Sequence, residues 1–283
     1  MLAARRAGGL PRPGGLAMIA SARMYEWAPS LVTAWRQLLH WVAARAGAPL
    51  EVLDSRSMSL DELWAREDMG CVFMCGYPYA LRAERPALLA APVPSPPRYA
   101  NRAVYVSDFI VRADGPFARL EDTFGGRLAY STEHSHSGYN APRHHLLQHH
   151  AGRPALFAEV KGPYGRQRAV VQAVLDGEAD VAAIDGYAHD LLRRHDPAVG
   201  ARLRVVATTD PAPSPPLVAS PAMPSSARER VTAALLDAHE APDLKAVMED
   251  LLLRRFAPVE DATFQLFLDW QRAAEAAGYP TLR

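Results

Sequence analysis

The sequence predicts an α/β fold in which mainly parallel sheets are covered by helices on both faces. Short apolar runs typical of buried strands alternate along the chain with segments whose apolar residues recur at helical spacing. Residues 71–74 are apolar throughout, as expected for a strand buried on both faces of a parallel sheet. The 283 residues are 49% hydrophobic, enough for two modest domains or one large one.

The predicted elements follow in order. Pro29 opens a helix that Gly47 ends, and the capping-box pair Ser59 and Glu62 starts a short second helix. A second capping box at Ser226 is expected to open a helix that runs to His239. Strands are predicted at residues 19–24, 50–53, 71–74, 88–93, 103–111, 127–130, 155–160, 181–184 and 203–208. Further helices are predicted at residues 139–150, 168–175, 186–195, 243–256 and 260–277.

Composition excludes several functions. Acidic and basic residues balance at 31 each, so no net positive field favours nucleic acid or an anionic membrane.

Cys71 and Cys75 lie about 13 Å apart if they share a strand. A disulfide needs Cα atoms within about 7 Å, so we expect two free, buried thiols. No common catalytic or cofactor-binding motif is found, and neither a metal nor a cofactor is expected.

The first 17 residues are rich in glycine and proline and lack the apolar core of a secretory signal. We expect residues 1–17 to be a disordered tail, with the folded protein beginning near Met18. Without a recognisable signal peptide, a cytoplasmic location is possible.

Ser135, Ser137 and Gly138 form a polar loop between a predicted strand and a predicted helix. A helix N-terminus carries unpaired N–H groups and a partial positive charge, serine adds hydroxyl donors, and glycine allows close approach. The loop therefore predicts an anion site. The alternative is that Ser137 only caps its helix.

The run Ser135-His136-Ser137-Gly138-Tyr139-Asn140, entered from a strand, resembles the anion-binding loop of the phosphonate-binding (PhnD-like) substrate-binding proteins of ABC transporters. Other pieces follow in that family's order across residues 22–240. They are Met24-Tyr25, Cys75-Gly76-Tyr77-Pro78-Tyr79, Tyr105-Val106-Ser107, the run from Gln172 to Asp185, and the run from Ala207 to Pro211.

The resemblance implies a two-lobed, type II periplasmic-binding-protein fold. The lobes are expected at residues 18–104 plus 213–283 and at residues 105–212. A monomer would capture a small oxyanion, a phosphonate or phosphate ester, between them. It would deliver this ligand to an ABC transporter permease, touch the membrane complex only peripherally, and work in the periplasm.

The resemblance also implies a ligand site. Oxyanion contacts are expected from Ser135, His136, Ser137, Gly138 and Tyr139 of the second lobe. From the first lobe, Tyr77 is expected to contact the oxyanion, and Tyr25 is expected to form the opposite wall of the cleft. Tyr105 is expected to contact the ligand from the strand that crosses between the lobes. For each tyrosine the alternative is core packing.

Asp185 ends an apolar strand before a helix, so it either caps that helix or holds an ammonium or hydroxyl at the far end of the ligand. Gln167 stands where many relatives carry a cleft histidine, unless an offset brings Arg166 or Arg168 there instead. Glutamine does not titrate, so a monoanionic or less charged ligand than that of the relatives is expected. Affinity for such a ligand is expected to vary little between about pH 5.5 and 7.5, unless His136 reaches the site.

Other interpretations stay open from the sequence. His145 and His149 could hold a metal at helical spacing, but a solvated helix face is the stronger expectation. An enzyme on the same scaffold could act on a phosphorylated pyrimidine precursor through His136 or Cys75. A cytosolic ligand sensor is the third hypothesis.

Overall fold

The computed structural model describes residues 18–54, 57–150 and 152–283. The prediction of a disordered tail at residues 1–17 lies outside this part of the chain. Strands β1 to β13 are Met18–Ser21, Leu50–Val52, Met69–Phe73, Ala87–Pro94, Val104–Tyr105, Ser107–Arg112, Arg127–Ala129, Glu159–Lys161, Val181–Asp185, Leu203–Thr208, Ala212–Pro213, Leu217–Ala219 and Leu253–Ala257. Helices α1 to α10 are Pro29–Ala46, Leu60–Trp64, Gly76–Leu81, Ala141–His150, Gln167–Leu175, Gly186–His195, Pro197–Gly200, Ser225–Asp237, Lys245–Asp250 and Gln265–Ala276.

The strands form two larger sheets and a ribbon. The first sheet has the order β13-β4-β12-β3-β1-β2, and the second has the order β10-β6-β9-β7-β8. Each contains two adjacent parallel pairs followed by antiparallel ones, so both sheets are mixed rather than mainly parallel. The α/β class is confirmed. The two-stranded ribbon β5-β11 pairs Tyr105 with Ala212 where the chain passes between the sheets.

Several local predictions are confirmed. Gly47 adopts the left-handed conformation after α1, with φ of 56°, and satisfies the final carbonyls of the helix through its N–H. The Ser59 side chain accepts from the Glu62 N–H at 3.2 Å, and the Ser59 N–H donates to Glu62 at 2.7 Å. None of the described helices is both long and apolar enough to span a membrane.

Other local predictions are wrong. The predicted helix at residues 243–256 ends early, since Leu253–Ala257 pairs with β4 as the edge strand of the first sheet. Ser226 is not a cap, because α8 begins one residue earlier behind Pro224, with no side-chain cap. Tyr77 lies in α3, a short helix that the sequence patterns did not predict. The strand expected at residues 155–160 is confined to Glu159–Lys161.

The end of the chain packs on the second sheet. Tyr279 and Leu282 are buried in one cluster with Phe109, Val111 and Leu128, which lie on one face of that sheet. The C-terminal carbonyl of Arg283 accepts from the Leu156 N–H at 2.8 Å. Helix α10 therefore leads the chain from the surroundings of the first sheet to the second.

Candidate functional site

A cavity of about 180 Å³, called here the inner cavity, lies between the two sheets. Residues from the first sheet's side, the ribbon and the second sheet's side meet around it. They are Met24, Ser59, Leu60, Asp61, Trp64 and Cys75, then Tyr105, then Ser131, Thr132, His134, Ser135, Ser137, Gly165, Arg166, Gln167 and Asp185. Five of the predicted ligand residues are among them: Tyr105, Ser135, Ser137, Gln167 and Asp185.

The polar loop turns into its helix through one wide turn, His136–Asn140, before α4 begins. Ser135 is the N-cap of this turn, and its side-chain oxygen accepts from the Gly138 N–H at 3.0 Å. The alternative that Ser137 serves only as a cap is wrong. Ser137 is one residue inside the turn, and its hydroxyl is available for another role.

Gly138 is required because hydroxyl groups occupy the space of a side chain. A Cβ at this position would lie 2.5 Å from the Ser131 oxygen and 3.1 Å from the Ser135 oxygen. The Ser131 hydroxyl is buried and makes no hydrogen bond with any described residue, yet it lines the inner cavity. A buried, unpaired hydroxyl costs free energy until it gains a partner, and the Ser131 hydroxyl is free to form a hydrogen bond in the cavity.

Gln167 joins the loop to the end of β9. Its side-chain oxygen accepts from the Asp185 N–H at 2.8 Å, and its Nε2 donates to the Ser137 oxygen at 2.7 Å. Because the Ser137 oxygen accepts this bond, the Ser137 O–H hydrogen is left to donate into the cavity. Arg166 lines the same cavity, so the glutamine and the neighbouring arginine both face it.

Of the two roles predicted for Asp185, the cap is confirmed, and the carboxyl group also lines the inner cavity. It caps α6 by accepting from the Ala188 N–H at 3.0 Å, and it also accepts from the Tyr25 hydroxyl at 3.3 Å. Desolvation outweighs these bonds and raises the pKa of Asp185 to about 7. A carboxyl group that titrates near neutrality therefore lines the cavity, which the expectation of weak pH dependence did not include.

The three tyrosines lie at different depths. Tyr105 lines the inner cavity, and its hydroxyl finds no nitrogen or oxygen partner among the described residues and lies against the Cys75 thiol. Tyr25 stands behind Asp185 and reaches the site only through that carboxyl. The Tyr77 hydroxyl donates to Gln271 on α10 at 3.0 Å, away from the lining of the cavity.

His136 and Tyr139 point away from the inner cavity. The His136 ring packs against Phe267 at 4.2 Å and Trp270 at 5.3 Å between centroids. Burial lowers the pKa of His136 well below its usual value, which keeps the imidazole neutral. Tyr139 packs edge-on against Tyr130 at 5.2 Å.

The histidines of α4 do not form a solvated face, contrary to expectation. His144 stacks on Trp270 at 4.6 Å, His145 packs against Phe109 at 5.3 Å, and His149 packs against Phe124 at 5.2 Å. Aromatic side chains from α10 and the second sheet cover the helix. Across the described ranges, no group of three or more histidine, cysteine or acidic residues could hold a metal ion.

Both cysteines are free and buried, as predicted. Desolvation raises the pKa of Cys71 to about 12 and that of Cys75 to about 11. Cys75 lines the inner cavity as a protonated thiol, which is a poor nucleophile.

A second, larger cavity of about 460 Å³ adjoins the inner one and is called the outer chamber. Seven residues line both cavities, so a ligand can extend from one into the other: Met24, Ser59, Leu60, Gly165, Arg166, Gln167 and Asp185.

The fold and the cleft define a two-lobed, type II periplasmic-binding-protein architecture, which solved structures share. A binding protein component of an ABC phosphonate transporter from Pseudomonas aeruginosa superposes with a TM-score of 0.75 at 15% identity, over 93% of this chain and 88% of that chain. PhnD1 from Prochlorococcus marinus, in complex with methylphosphonate, gives a TM-score of 0.74 at 14% identity, over 91% of this chain and 97% of that chain. XAC2383 from Xanthomonas citri, bound to ATP, gives a TM-score of 0.61 at 19% identity, over 92% of this chain and 98% of that chain.

The chain belongs to the family described as ABC transporter, phosphonate, periplasmic substrate-binding protein, which matches residues 25–264. The resemblance stated from the sequence is confirmed. Members of this family are substrate-binding proteins and not enzymes, so they bind a small ligand and work with an ABC permease. No curated protein matches the sequence significantly.

Proposed function

We propose that this protein captures a small phosphonate or phosphate ester in the inner cavity and delivers it to the permease. The observation that carries this proposal is the group of serine hydroxyls around Gly138, where Ser131 is buried without a partner and Gln167 leaves the Ser137 hydrogen free. Phosphonate oxygens accept hydrogen bonds from such donors. The methylphosphonate held by PhnD1, which shares the fold, supports the same ligand class.

The residues around the inner cavity take distinct roles. Ser131, Ser135 and Ser137 donate to the oxyanion, and Tyr105 adds a phenol hydroxyl from the ribbon. Asp185, when protonated, donates to the ligand without repelling it.

The other predicted site residues act behind this wall. Gly138 lets the hydroxyls converge, and Tyr25 orients Asp185. His136 and Tyr139 anchor the loop to aromatic side chains rather than to the ligand. Tyr77 contacts α10 instead.

The lobes of this proposal are residues 18–104 plus 213–283 and residues 105–212, with the last five residues docked on the second lobe. The ribbon β5-β11 lies at both crossings and acts as the hinge. A monomer closes around the ligand by bending at this ribbon. The protein is located in the periplasm, as its family is. Fractionation of cells that express the untagged chain tests this location.

The hydrogen bonds are sufficient for useful affinity. Micromolar binding requires about 8 kcal/mol. Three to five bonds to a charged ligand, each contributing about 1.5–3 kcal/mol, reach that value before ordering costs.

Calorimetric titration with methylphosphonate tests the proposal. Ser137→Ala should weaken binding by about 10- to 150-fold, the range for one hydrogen bond to a charged group. The cap stays in place at Ser135, so the loss of unfolding free energy should not exceed about 1–3 kcal/mol, the cost of leaving the Gln167 Nε2 without its acceptor. Ser226→Ala, on the exposed surface of α8, is the matched control and should bind as the wild type does. Unchanged affinity in Ser137→Ala would remove the serine cluster from the ligand site.

A further inference from the structure

Two arginines, Arg23 and Arg166, line the outer chamber. Arg23 is half-buried, and its Nε donates to the Met58 carbonyl at 3.2 Å. Burial and then the charge of Arg166 lower the pKa of Arg23. The Arg166 side chain is exposed, and its guanidinium group forms no hydrogen bond or ion pair with the residues that the structure describes. Two like charges held together in this way favour an anion between them.

The other charged groups of the chamber are differently engaged. The Arg168 guanidinium donates to the Trp27 carbonyl. The Glu62 carboxylate accepts from the backbone and hydroxyl of Ser59, at 2.7 and 2.8 Å. Glu26 also lines the chamber, and its charge raises the pKa of Arg23. The Asp185 carboxyl group lines it too and accepts from the Ala188 N–H and the Tyr25 hydroxyl. Arg166 stands out because it lines both cavities, directly beside Gln167.

We propose that the outer chamber binds a carboxylate of the ligand, held by Arg23 and Arg166, while the phosphonate group of the same molecule occupies the inner cavity. This inference rests on the proposed function and narrows the ligand to a phosphonate that carries a carboxylate. Guanidinium groups bind carboxylates through paired, charge-assisted hydrogen bonds. The shared wall allows one short molecule to reach both groups. Methylphosphonate would fill the inner cavity alone.

Titration calorimetry with four compounds tests the assignment: methylphosphonate, phosphonoacetate, 3-phosphonopropionate and 2-aminoethylphosphonate. At least one carboxylated compound should bind the wild type about 10-fold or more tighter than methylphosphonate. Arg23→Gln and Arg166→Gln should each remove most of this advantage. Arg23→Gln changes only the outer chamber, so it should leave methylphosphonate affinity within about threefold. Arg153→Gln, an exposed residue outside both cavities, is the control and should change neither.

The outcomes separate this inference from the proposed function. If methylphosphonate binds but no carboxylated compound binds better, the second subsite is refuted and phosphonate capture stands. Equal weakening of all ligands by Arg23→Gln also refutes it, because this arginine would then act on every anion alike and not on the carboxylate. Tighter binding of 2-aminoethylphosphonate would show that Glu26 and Glu62 govern the chamber instead. If the wild type binds none of the four, the proposed function fails and this inference fails with it.

Discussion

The ionisation of Asp185 should be measurable as a pH-dependent loss of stability. An unfolded aspartate ionises near pH 3.9, whereas burial raises the pKa of Asp185 to about 7 in the folded protein. Between these values the unfolded state releases the proton and the folded state keeps it, so stability falls as pH rises. At about 1.4 kcal/mol for each pH unit, the cost above pH 7 reaches about 4 kcal/mol.

Asp185→Asn removes this ionisation and keeps the cap, because asparagine also accepts from the Ala188 N–H. The variant should therefore gain stability relative to the wild type as pH rises from 4 to 7, with no further gain above that. Urea unfolding at half-unit pH steps gives both curves. Asp243→Asn, an exposed position, is the control and should follow the wild type. If the difference in unfolding free energy between the variant and the wild type stays constant from pH 4 to 7, Asp185 does not keep its proton in the folded protein.

The same group should govern the pH dependence of binding. An anion beside Asp185 favours its protonated form, so wild-type affinity should fall above pH 7 and the Asp185→Asn affinity should not. Methanesulfonate is the suitable probe because its charge is constant over this range. A wild-type affinity that is constant from pH 6 to 8 would place Asp185 outside the ligand's reach.

Two further substitutions test the loop and the chain end. Gly138→Ala places a methyl group 2.5 Å from the Ser131 oxygen, so methylphosphonate affinity should fall at least about 10-fold; unchanged affinity would show that the hydroxyls need not converge. Tyr279→Ala empties a fully buried position against the second sheet and should cost about 3–5 kcal/mol in urea unfolding, whereas a loss below 1 kcal/mol would mean that the chain end contributes little.

The sequence determined the features that depend on local chemistry. Alternating strand and helix patterns predict the α/β class, Gly47 predicts the end of α1, and Ser59 with Glu62 predicts the start of α2. The loop at Ser135 to Gly138 and the order of the surrounding motifs predict the family. These signals are readable because a cap, a glycine turn or an apolar period acts within a few residues.

The tertiary structure decided which side of each motif faces the cavity. Ser131 enters the site only because Gly138 leaves room for it, and Gln167 meets Ser137 across 30 positions of sequence. His136, inside the loop, turns toward Phe267 because α10 returns to cover it. Such contacts join residues far apart in the chain, so the balance of burial and hydrogen bonding that fixes them exists only after the sheets and the last helix have packed.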